Sequence, residues 1–139
     1  MTRLLSLVPL IALLANPTFA AFERRCALAE EATDGLNSWA KVHAAFRRYA
    51  GCDDGGVAEG YADKIEKLLA DHWAQLGVLL KLSKSDPAFE AFVLRHLGEI
   101  TTLPNAVIIT KLAKSSCPAE GRAFCGKLVK LLDTQPSSQ

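Results

Sequence analysis

The sequence predicts an all-α protein, a compact bundle of about five to seven short helices stapled by two disulfides. Apolar residues recur at three- and four-residue steps, and no run alternates apolar and polar residues for long enough to build a sheet. Four cysteines, Cys26, Cys52, Cys117 and Cys125, lie in a chain that opens with an export leader. Arg3 gives that leader its basic start, residues 4–14 are uncharged and mostly apolar, and Pro17-Thr18-Phe19-Ala20 ends in small residues spaced for cleavage after Ala20. The apolar run is eleven residues long, whereas a membrane span needs ~20. The expected organisation is a leader over residues 1–20, one helical domain over 21–133 and a flexible tail over 134–139, with the product outside the cytoplasm and off the membrane once the leader is removed.

The elements follow in order. A short helix is expected over residues 23–33, interrupted by Asp34-Gly35. A second is expected over 36–49, where Leu36, Trp39, Val42 or His43, and Phe46 share a face. The loop Gly51-Cys52-Asp53-Asp54-Gly55-Gly56 follows, and its aspartates suit the N-terminus of the next helix. From Val57 the positions Tyr61, Ile65, Leu68, Leu69, Trp73, Leu76 and Leu80 continue the period to about Leu82, with a break expected near Ala70-Asp71 or Gly77. Ser85-Asp86-Pro87 restarts the chain with a cap and a proline suited to a first turn. Phe89, Phe92, Val93, His96, Leu97 and Ile100 then form a strongly apolar face. Thr101-Thr102-Leu103-Pro104 leads into a helix over residues 106–113, and Cys117-Pro118 into a last helix that buries Phe124, Leu128, Leu131 and Leu132.

Four cysteines allow three pairings. Closure entropy favours the short loops, Cys26 with Cys52 and Cys117 with Cys125. Eight helical residues would hold the last two Cα atoms ~12 Å apart, beyond the ~4.4–6.8 Å of a disulfide, so Cys117 must lie in a turn that folds back beside the helix carrying Cys125. Zinc is disfavoured because no Cys-x-x-Cys occurs.

The leader holds one of the 16 basic residues and none of the 15 acidic ones, so the remaining chain is formally neutral. Attraction to nucleic acid or to an anionic membrane is therefore excluded as its design. Residues 53–71 nevertheless concentrate six carboxylates, Asp53, Asp54, Glu59, Asp63, Glu66 and Asp71, against Lys64 and Lys67. Glu59, Asp63 and Glu66 are read as an exposed helix stripe, with Lys67 one turn beyond Asp63 as its partner. None of the three histidines has ligand spacing. His96 is expected as a satisfied core histidine and His72 as a helix-surface or boundary residue. No catalytic residue, metal site or cofactor is expected, and the chain does not read as an enzyme.

Several stretches together resemble the periplasmic immunity proteins of type VI secretion amidase effectors: Cys52-Asp53-Asp54-Gly55-Gly56-Val57-Ala58-Glu59-Gly60-Tyr61; Leu68-Leu69 with His72-Trp73; Asp86-Pro87-Ala88-Phe89-Glu90-Ala91-Phe92-Val93 with His96; and Cys117-Pro118 followed by Cys125. The resemblance covers residues 36–132. It implies a helical periplasmic protein, possible as a homodimer, that blocks the cleft of an injected cell-wall amidase and so protects the producing cell. Its partner would be that amidase. Contact residues are expected on connectors between helices: Asp53 and Asp54 in the 52–56 loop, Ser83, Lys84, Ser85 and Asp86, and Thr101 with Thr102. Two other functions fit the same size and address, an exported carrier of an apolar ligand and an inhibitor of lysozyme-type cell-wall hydrolases. A carrier would need a preformed cavity.

Overall fold

The computed structural model describes residues 17–134, which form seven α-helices and no strand. They are α1 Pro17–Thr33, α2 Trp39–Arg48, α3 Gly55–Asp71, α4 Leu76–Ser85, α5 Pro87–Ile100, α6 Leu103–Ser115 and α7 Arg122–Asp133, with short 3-10 turns at Trp73–Gln75 and Ala119–Gly121. Residues 1–16, most of the expected leader, and residues 135–139 of the expected tail lie outside the described residues. The expected cleavage point after Ala20 falls within α1, which starts six residues earlier than the periodicity places it. Among the described residues no helix is long and apolar enough to cross a membrane.

Local chemistry sets most of the boundaries. α2 begins at Trp39 rather than Leu36 because Ser38 is extended and its hydroxyl accepts the Lys41 N–H at 3.4 Å, an N-cap that the face pattern alone does not reveal. Leu36 is still buried, packing into the core from the connector. Gly51 turns the chain out of α2 at φ +90°, a conformation that costs other residues energy. Asp54 then caps α3, its Oδ1 accepting the Gly55 N–H at 2.8 Å. The long 57–82 pattern does break after Asp71. There the Trp73 indole N–H donates to the Ser116 carbonyl at 2.9 Å, which anchors the intervening 3-10 turn to the end of α6. At the far end, Cys117-Pro118 does not open the last helix directly, because the 3-10 turn Ala119–Gly121 comes first. Thr134, expected in the loose tail, closes α7 by donating to the carbonyls of Lys130 and Leu131.

α3 and α5 pack together at the centre, α1 and α6 lie against α3, α4 lies against α5, and α7 covers α5 and α6. Ile65, Leu79, Phe89, Val93, Leu97, Ile109 and Leu128 are wholly buried between them, each contributing ~1.5–3 kcal/mol. α1 approaches α3 closely over Gly56 and Gly60. A Cβ at those positions would lie 2.5 Å from Glu30 Oε1 and 2.6 Å from Thr33.

Both disulfides join the locally closed pairs. Cys26 and Cys52 have Cα atoms 5.1 Å apart and tie α1 to the 52–56 loop. Cys117 and Cys125 have Cα atoms 6.3 Å apart, with Cys117 in the turn before α7 as the reach argument requires.

Candidate functional site

The 52–56 loop is fastened to α5 through Asp53. Its Oδ1 lies 2.7 Å from His96 Nε2, and its Oδ2 pairs with Arg95. His96 is 2% exposed, and its Nδ1–H donates to the Phe92 carbonyl at 2.9 Å, so it is the satisfied core histidine that its place on the apolar stripe predicts. Asp53 therefore faces inward, whereas Asp54 is exposed beside the helix it caps.

Ser83, Lys84 and Ser85 are not a loop but the last turn of α4. The Ser85 hydroxyl donates back to the Leu82 carbonyl at 2.9 Å instead of capping the next helix. Ser83 is buried, while Lys84 and Ser85 are exposed. Asp86 alone separates α4 from α5. Its Oδ2 lies 2.9 Å from His43 Nε2 and accepts from Arg47 at 3.4 Å, and the His43 hydrogen bond, aided by the Arg47 charge, holds the carboxyl below the usual carboxylate range. The His43 ring in turn meets Phe89 edge-on at 4.8 Å.

Thr101 and Thr102 link α5 to α6. Thr101 donates to the Leu97 carbonyl. The Thr102 N–H, at 3.2 Å, and its hydroxyl both donate to Glu66 Oε1, which also accepts from the Asn105 amide at 2.6 Å. Glu66 is 7% exposed, which corrects its place in the solvent stripe. The stripe loses its last member because α6 packs on α3 there and presents the N-cap Thr102 N–H and two side-chain donors to the carboxylate. Glu59 and Asp63 do face solvent. Asp63 pairs with Lys67 at 2.8 Å, and that hydrogen bond leads the causes that lower its pKa. His72 is exposed at the end of α3.

All three connectors thus carry a side chain tied into the bundle. His43, Arg47, Arg95 and Asn105 tie these connectors down without being among the expected site residues, and Glu66 is the residue expected on an exposed stripe. Of the first four only His43 has a sequence signal, its place beside Val42 on the apolar face of α2. The two aspartate–histidine pairs act as tethers, and all four cysteines are disulfide-bonded. Among the described residues no three His, Cys, Asp or Glu side chains converge as metal ligands. Compared with protein families, with curated proteins and with solved structures, the chain finds no match.

Proposed function

We propose that this chain is an exported binding inhibitor that occludes the cleft of a secreted peptidoglycan amidase in the periplasm and so protects the cell that makes it. The observation that carries this is the tying of all three connectors to α3, α2 and α5 by Glu66, His43 with Arg47, and Arg95 with His96. A surface already ordered before contact loses less conformational entropy on docking, so more of the contact energy appears as affinity. The resemblance to amidase immunity proteins supplies the partner class. The disulfides are compatible with export. In this reading the chain contributes no catalytic group, and the exposed Asp54 and Lys84 are its most accessible connector charges. The carrier alternative would hold an apolar ligand inside the bundle, whereas several cavities of about 310 to 550 Å3 open at the surface, and this favours the inhibitor reading.

The test is co-export with a type VI secreted peptidoglycan amidase. Cells exporting the amidase alone should lyse, and cells exporting both should grow. Equal collapse with and without this chain overturns the proposal. With purified proteins, Lys84→Glu should weaken inhibition of the amidase without moving the thermal midpoint.

A further inference from the structure

A cavity of about 310 Å3 opens at the surface between the end of α2, the start of α3 and α5, beside the 52–56 loop. Its walls are the rings of Phe46, Tyr49, Tyr61 and Phe92. The rings hold one another in place, with Phe46 and Phe92 centroids 4.7 Å apart and Tyr61 edge-on to Phe92 at 4.9 Å. Gly51 lines the mouth and puts no side chain across it.

One arginine lines the cavity, Arg95, whose guanidinium lies 5.8 Å from the Phe92 ring centre. Two more touch lining residues from outside, Arg48 at 5.5 Å from the Tyr49 ring centre and Arg25 donating to the Ala50 carbonyl. Each retains further N–H groups beyond those contacts. Asp53 is the opposing charge in the cavity, and both of its oxygens are already engaged by His96 and Arg95. The Tyr61 phenol is pushed up to about 12 by burial and then by Asp53 and Tyr49, so it stays a neutral O–H donor throughout the neutral range.

We infer that this cavity is a binding site for an aromatic carboxylate, with the ring held between the aromatic walls and the carboxylate beside Arg95. Two sources share that chemistry, the C-terminal aromatic residue of a protein partner and a free aryl acid. Only the first rests on the inhibitor reading.

The experiment titrates the oxidised protein with N-acetyl-phenylalanine, its amide and 3-phenylpropanoate, following backbone amide NMR shifts. Both acids should shift Gly51, Tyr61 and Phe92, with about millimolar affinity as befits fragments of this size. The amide should bind several-fold more weakly. Tighter binding by N-acetyl-phenylalanine points to a peptide terminus, and tighter binding by 3-phenylpropanoate to a free acid. Arg48→Gln, an exposed change, should weaken the acids about two- to five-fold, and Ala50→Trp at the mouth should abolish the shifts. An amide that binds as well as the acids, shifts confined to other surfaces, or full affinity in Ala50→Trp would each overturn the site. No cell-wall enzyme enters this titration, so its failure leaves the inhibitor proposal standing, and a failed growth test leaves the cavity standing.

Discussion

Glu66 is a carboxylate taken out of water and compensated by three donors from the start of α6. Glu66→Ala would strand those donors and should cost about 2–4 kcal/mol in urea unfolding. Glu66→Gln keeps an acceptor and loses only the charge at the helix N-terminus, for about 1 kcal/mol. Matching midpoints for Glu66→Ala and the parent chain would show that the network contributes nothing. Tyr61 makes a second residue-level prediction, at high pH. An unfolded phenol ionises near ~10, and that of Tyr61 is raised to about 12. In that window the unfolded chain has lost a proton that the folded chain keeps, so stability is unaffected below the window and falls as pH rises through it. Tyr61→Phe should flatten the fall in denaturant midpoint. If the variant and parent decline alike, the buried phenol is not its cause.

At the scale of elements, the α1–α3 seam depends on absent side chains. Gly60→Ala places a Cβ 2.6 Å from Thr33 and should destabilise by about 1–3 kcal/mol. Gly126, exposed within α7, has no atom within 4 Å of the added Cβ, so Gly126→Ala should stabilise by about 0.5–1 kcal/mol. Thermal midpoints moving in the same direction would contradict this account of the seam. These cases also mark what was legible. The helical class, the break after Asp71, Pro87 opening α5 and the buried face from Phe89 to Leu97 are written in local spacing and punctuation. The inward turn of Glu66, the anchoring of Trp73 and the tying of Asp53 and Asp86 join residues 36 to 43 positions apart. No helical period encodes such pairs, and so the candidate connectors were recognised while their fastenings were not.

For the whole molecule, the disulfides should contribute unequally. The Cys26–Cys52 bond closes 26 residues and Cys117–Cys125 closes eight, giving about 3.5 and about 2.5 kcal/mol in the chain-entropy model. Paired Cys→Ser variants compared by urea unfolding should show the first loss to be the larger, and the reverse order would put native-state packing ahead of chain entropy. Removing Cys26–Cys52 should also raise amide exchange in the 50–55 segment, because that bond joins the loop to α1.

The side-chain ties carry one more consequence, concerning the order of assembly. His43 with Asp86, Asp53 with His96, and Glu66 with Thr102 and Asn105 all lie within residues 39–105. A chain delivered N-terminus first can therefore close every one of them while α7 is still in transit. The last helix, α7, then arrives on a platform already set, and the Cys117–Cys125 link is the final knot rather than the first.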